Sequence, residues 1–447
     1  MSLSPGDKFV VGINKGWFGN KYDHDLGFNQ FSIGRLYRNV ITDPNLPDPS
    51  PELPYLSSHV EELQSFFRKL RVGIQQSELG NRPVVRIWAF ERFEGLRFDS
   101  EGYVIGIDSE LLQNLNTIFE TANGFGLKIY LCLLDSWSIY QGPPPSIVTL
   151  GRQEQYLSLQ QTWKKLIRLI VKDTEGRQKF LHNAIHPLLE NVNTHPNLFA
   201  IDLFNEPEGL IQKDGPEFKF STILDYIKDV SNYIRSINSN IKISCGFQKY
   251  TTVKTNSKIL GEYLDFFDFH EYNKDGNLVS YNQTDFVGKP CIVGECGYPV
   301  GTASSDLNVL SAIQHFFENS NSKGYAGCAA WFEDYENKDK IIDVIKKFAE
   351  KDPLIMELKK QGCFIATAAM GSELHPHVQL LRNYRDDVIL QSPYKEQFLR
   401  VLDFYYSFSP AIADAMNRNK FFRAFVRYAL VYPVILSLKI LIKLVGD

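Results

Sequence analysis

Eight short apolar runs recur between residues 9 and 331, at 9–14, 84–90, 127–134, 198–204, 241–247, 266–270, 291–294 and 325–331. Amphipathic stretches of helix length lie between most of them, at 56–70, 111–121, 153–171, 221–237 and 306–318, and another at 340–350 follows the last run. Connections this long predict parallel strands with helices packed outside. The runs are mostly continuously apolar, as strands buried on both faces must be. Eight such units close into a (β/α)8 barrel. An open doubly wound sheet is the competing arrangement, but no GxGxxG or GxxxxGK phosphate loop accompanies it.

Other stretches set the boundaries. Five prolines in thirteen residues at 42–54 predict a surface excursion before the first long helix. The region 173–187 reads as a helix extension or insertion, and 248–261 as the weakest connection, with room for only a short helix. After residue 350 the pattern changes to helical periodicity without a clear strand set. The expected division is a barrel over 1–355 and a helical C-terminal domain over 356–447.

A formal net charge of -4 argues against a nucleic-acid groove. The start, MSLSPGDKFVVGIN, lacks the basic and apolar regions of a signal peptide, so a cytoplasmic site is expected. The six cysteines form no CxxC, and neither they nor the nine histidines show metal-ligand clustering. Neither a metal nor an organic cofactor is expected.

Barrel enzymes carry their chemistry at the C-terminal ends of the strands. Polar and aromatic residues gather there in this chain. The second run ends with Arg86 and Trp88, the third at Asp135 with Trp137 beyond it, and the fourth at Asn205 and Glu206. The sixth ends with His270 and Tyr272, the seventh with Glu295, and the eighth with Trp331. Glu206 and Glu295 each follow an apolar run directly, where burial raises a carboxyl pKa and a nearby cation lowers it. Strands four and seven face each other across a closed barrel, so the two carboxyls can flank a bond held between them, as glycoside hydrolysis requires. The structural alternative is a pair of acids that cap helices or pair with Arg86.

The segments "VRIWAFE", "LFNEPEG", "FDFHEYN", "VGECG" and "AAWFEDY", spread over about 9–350, resemble the (β/α)8 retaining glycoside hydrolases of the clan that holds the family 5 cellulases and mannanases. The resemblance implies a β-linked oligo- or polysaccharide substrate, with Glu206 as general acid/base and Glu295 as nucleophile. It further implies that Asn205 bonds the sugar 2-hydroxyl, that Arg86 and Tyr272 hold Glu295 ionised and oriented, and that His270 bonds near the reacting centre. Trp331 would stack under the sugar, whereas Trp17, Trp88 and Trp137 suit either subsite stacking or the core and rim. Many family 5 enzymes have a histidine near the end of the third strand. Here "CLLDSWSIY" offers Asp135 instead, which departs from a simple cellulase. A non-catalytic carbohydrate-binding barrel or scaffold is the alternative function.

In the C-terminal region, "GCFIATAAMGS" resembles the opening signature of a small bacterial domain named for its CFIATAAYGS motif, with Met370 in place of tyrosine. Cys363, His375 and His377 lie close together, but no fourth metal ligand is evident. The last helix, from Phe421 to Val445, is apolar with Arg423, Arg427, Lys439 and Lys443 interspersed and broken by Pro433. Three roles fit it: a membrane span with snorkelling ends, contact with a membrane surface or partner, or packing within the appendage.

Overall fold

The computed structural model describes residues 9–19, 25–38, 53–70, 83–214, 218–299, 306–336 and 338–350, and, further on, 364–370, 375–384, 409, 412, 415–416 and 419–445. The chain forms two compact units, Met1–Ala349 and Glu350–Asp447.

In the first unit eight parallel strands close a barrel in chain order. They are β1 (Val10–Asn14), β2 (Val84–Trp88), β3 (Lys128–Cys132), β4 (Leu198–Asn205), β5 (Ile243–Phe247), β6 (Phe267–Tyr272), β7 (Cys291–Gly297) and β8 (Gly327–Ala330). Each coincides with one of the eight apolar runs, within a few residues at its ends. Most strand residues are buried, because the helices cover the outer face while side chains fill the interior. Helix Gln153–Val171 shows how the helices pack. It buries Tyr156, Leu159, Trp163, Leu166, Ile167 and Ile170, a single stripe at helical spacing.

Local differences from the expected elements have simple causes. The 248–261 connection holds a three-turn helix, Tyr250–Leu260, which buries Val253, Ser257 and Leu260. Region 173–187 is helical throughout: Thr174–Phe180, a π turn at Leu181–Ile185, then His186–Val192. A small antiparallel hairpin, Leu96–Phe98 with Val104–Ile107, follows β2 and was not evident from periodicity, because strands of three and four residues carry little of it. Beside it, the Glu94 carboxylate accepts the N–H groups of Asp25, Leu26 and Gly27 and pins the first connection to the barrel. Most of the proline-rich stretch at 42–54 lies outside the described residues.

The barrel interior is layered. Val84, Tyr130, Ala200, Phe266 and Ile292 plug the end where the strands begin. Trp17, Trp88, Cys132 and Trp331 cluster toward the end where they finish. Between these layers lie charged groups. Three register shifts serve this layer. Between β4 and β5 the pairing runs from Asp202↔Ser244 to Asn205↔Gly246, so β4 carries one extra residue. Strict alternation would turn residues 202 and 205 to opposite faces; the extra residue turns both inward. On β7, Gly294 is the extra residue against both neighbouring strands. A Cβ there would lie 2.0–2.4 Å from the Asp268 carboxyl, so only glycine fits.

In the second unit the described elements are all helical. Helices Phe364–Met370 and Pro376–Asn383 pack with a long C-terminal helix made of Lys420–Val426, a π turn at Arg427–Val431, and Tyr432–Val445. Ile365, Ala369, Val378, Met416, Val431 and Ile435 are buried together. His375 caps the second helix by accepting the His377 N–H through Nδ1. Cys363 lies outside the described residues. Among the described residues one stretch, Phe421–Leu438, is long and apolar enough to cross a membrane, with mean hydropathy 1.5.

Candidate active site

Arg86 is the centre of the polar layer. It points inward from β2, and all five of its N–H donors are used. Nε and Nη2 both reach Asp202 Oδ2 (2.9 and 2.6 Å), and Nη2 also reaches Asn205 Oδ1 (2.8 Å). Nη1 reaches Glu295 Oε1 (2.6 Å) and Asn14 Oδ1 (3.0 Å). Burial opposes the Arg86 charge, yet Asp202, Cys132 and Glu295 around it raise its pKa well above the usual arginine value. The guanidinium therefore stays charged and fixes the plane of every group it touches.

Glu295 extends from β7, with Oε1 on Arg86 and Oε2 accepting the Tyr272 hydroxyl (2.8 Å). Burial pushes its carboxyl up and Glu206 adds to the rise, while Arg86 and Tyr272 pull it down; the balance lies above the usual value. Tyr272 itself is held protonated by burial, so it can only donate to Glu295.

Glu206 follows β4 in a left-handed backbone conformation, φ 49°. A non-glycine residue there is strained by about 1–2 kcal/mol, and its neighbours hold it. Its N–H donates to Gly246 O (2.7 Å), and Ser136 Oγ donates to its carbonyl (2.6 Å). Gly209 makes room for that serine: a Cβ would fall 2.2 Å from Ser136 Oγ. On the side chain, Oε1 meets His270 Nδ1 at 2.7 Å and Oε2 accepts the Trp137 indole N–H. Burial pushes the Glu206 carboxyl up to about 7, and Asp135 adds to the rise, against the pull of Trp137 and Arg86.

His270 is buried and pushed down to about 4, so it is a neutral imidazole at working pH and its contact with Glu206 is a hydrogen bond rather than an ion pair. Carboxylate oxygens of Glu206 and Glu295 and a ring nitrogen of His270 all lie within 4.8 Å of one another. By donor type this trio can also ligate a cation. However, both carboxylates are already engaged by N–H or O–H donors, and Arg86 puts a positive charge beside Glu295.

The remaining expected residues divide into two groups. Asp135 braces Asn205, accepting its Nδ2 (2.6 Å) through Oδ1, while Oδ2 takes the Ser138 N–H (2.6 Å). Asn205 is thereby oriented from both ends, oxygen to Arg86 and nitrogen to Asp135. Trp17, Trp88 and Trp331 pack on one another with ring centroids 5.3–6.0 Å apart, and each is at least nine-tenths buried. The Trp331 indole N–H donates to Asp334 (2.7 Å). Glu333, on the same rim, is paired instead with Lys15 (2.8 Å) and Lys338 (2.7 Å).

Several participants were missed from sequence. Asp202 takes two of the Arg86 hydrogen bonds on one oxygen, and its other oxygen accepts the N–H groups of Gly246 (2.9 Å) and Phe204 (3.2 Å). Asn14 joins Arg86 to the backbone of β7 and β8 through Gly294 O and Ala330 O. Asp268 accepts the buried Tyr130 hydroxyl (2.8 Å). The available signal was a lone acid inside an apolar strand, in "AIDLF" and "FDFHEY".

No protein-family model matches the chain. A mannan endo-1,4-beta-mannosidase of Mytilus edulis is 22% identical over 368 residues, covering 72% of this chain and 83% of that protein. One from Cryptopygus antarcticus is 21% identical over 310 residues, covering 59% and 72%. Among solved structures, the beta-mannanase of the blue mussel Mytilus edulis superposes with a TM-score of 0.54 at 17% identity, over 77% of this chain and 93% of that one. The beta-1,4-mannanase of the sea hare Aplysia kurodai gives 0.52 at 18%, over the same shares. At these identities the likeness establishes a shared barrel fold.

Proposed function

We propose that the barrel hydrolyses β-glycosidic bonds by double displacement with retention of configuration, acting on a β-mannan or related β-glycan. One observation carries this reading: Glu206 and Glu295 oxygens lie within 4.8 Å at the barrel mouth, Glu295 hydrogen-bonded to Arg86 and Tyr272 and Glu206 to Trp137 and His270. Direct attack on the anomeric carbon calls for carboxyls about 5–5.5 Å apart, whereas an inverting enzyme leaves a wider gap for water. The β-mannosidase relatives support mannan as the first substrate to test.

The roles follow from the partners. Glu295, ion-paired to Arg86 and held by Tyr272, is the nucleophile. Glu206, with a carboxyl near 7, carries the proton that the leaving oxygen needs. Esterification of Glu295 removes a negative charge that faces Glu206, so its pKa falls and it can act as base toward water. Asn205, fixed by Arg86 and Asp135, presents its amide toward the 2-hydroxyl, a contact that helps catalysis only insofar as it tightens in the transition state. Trp331 forms the ring wall at the reactive sugar, and Trp17 and Trp88 support it from behind.

Glu295→Gln tests the reading. The protein should release reducing sugar from β-mannan, and the variant should lose at least about 10³-fold in kcat with substrate binding retained. A 2-fluoro glycoside should add one sugar mass to the peptide that contains Glu295. Binding without turnover by the unaltered protein would favour the non-catalytic carbohydrate-binding barrel.

A further inference from the structure

The C-terminal helix turns an apolar face outward. Between residues 421 and 437, ten side chains are exposed; none is charged, and only Ser437 is polar. Phe421 (89% exposed), Phe425 (67%) and Tyr428 (67%) fall at i, i+4 and i+7, one stripe of a helix; Leu430 within the π turn and Val434 and Leu436 beyond it are exposed as well. The arginines that might have made this face polar are turned inward: Arg423 Nε donates to Met416 O (3.3 Å) and Arg427 Nε to Ala369 O (2.6 Å). The inner face is apolar as well, through Val426, Val431 and Ile435. A water-facing helix places its charges outward, and one apolar all round needs cover.

The charge pattern indicates what covers it. From Lys420 to Val445 there are five cations and no acid. The stretch without charge, 428–438, holds eleven residues. At ~1.5 Å per residue it spans about 16 Å, roughly half of a ~30 Å hydrocarbon layer. Even with Arg423 and Arg427 turned inward, an all-positive helix with a short charge-free centre suits the boundary of an anionic bilayer better than its full depth, with rings in the acyl layer and the net positive charge near the headgroups.

We propose that this helix docks the chain on anionic lipid surfaces by its Phe421–Phe425–Tyr428 face. The test is flotation of the purified full chain with vesicles of phosphatidylcholine alone or mixed with phosphatidylglycerol. The chain should float with the mixed vesicles, less with neutral ones, and less again at ~0.5 M NaCl, where charges are screened. Phe421→Ser/Phe425→Ser/Tyr428→Ser should reduce flotation at least tenfold with an unchanged circular dichroism spectrum. Phe421→Ser alone, at the most exposed position, should shift it the same way and covers the case in which the triple variant fails to fold. Lack of flotation with mixed vesicles would overturn the proposal. So would flotation that the folded variants retain, or a dimer in place of vesicle binding that the variants abolish. Vesicle binding is scored without sugar, so the result is independent of the hydrolytic reading.

Discussion

Trp137 gives the sharpest test of how Glu206 is tuned. Its indole N–H donates to Glu206 Oε2, and Lys213 Nζ sits 5.6 Å from its ring centroid. A neutral donor bonded to a carboxylate contributes about 1.5–3 kcal/mol, and to a neutral carboxyl about 1 kcal/mol. The difference, roughly 0.5–2 kcal/mol, favours the charged form and centres on about one pH unit. Trp137→Phe keeps the ring and removes the donor, so the Glu206 carboxyl should rise from about 7 toward ~8. Activity that needs a protonated Glu206 is lost as pH rises through that value, so the basic limb of kcat/KM should move upward by about one unit. The assay is a pH profile on β-mannan, whose sugar leaving group needs a proton. A dinitrophenyl glycoside, whose leaving group does not, should show little change in its basic limb. A limb on mannan that stays in place or moves down would refute the assignment of Trp137 as the donor that tunes Glu206.

Two further substitutions probe the layer beneath. Asp202→Asn leaves the buried Arg86 without its main counter-charge, and breaking such a pair costs about 3–5 kcal/mol; thermal unfolding should occur well below that of the unaltered chain, and the folded fraction should turn over more slowly because Glu295 loses its fixed partner. Gly294→Ala drives a Cβ into the carboxyl of Asp268, a short buried side chain that the Tyr130 hydroxyl holds, so it should cost about 1–3 kcal/mol by denaturant titration; near-normal stability would mean that the β7 bulge relaxes more freely than its geometry implies.

The barrel could be read from the chain because its physics is local and repeated. Eight apolar runs separated by helix-length connections allow few closed arrangements, and each run appears as a strand. Residues at strand ends, among them Arg86, Asn205, Glu206, His270, Tyr272 and Glu295, could be nominated by position, since closure brings those ends to one rim. Periodicity could not say which of them touch. Asp202 and Asn205 meet the same guanidinium only because an extra residue in β4 turns both inward, and such a register shift depends on pairing with β5, far along the chain. The protonation states are tertiary for the same reason: Glu206 near 7 and neutral His270 result from burial and neighbours drawn from four strands and their loops. Composition marked the final helix as apolar and cationic. Its fold turned Arg423 and Arg427 inward and the rings outward, a choice made by the carbonyls of Met416 and Ala369 that receive them.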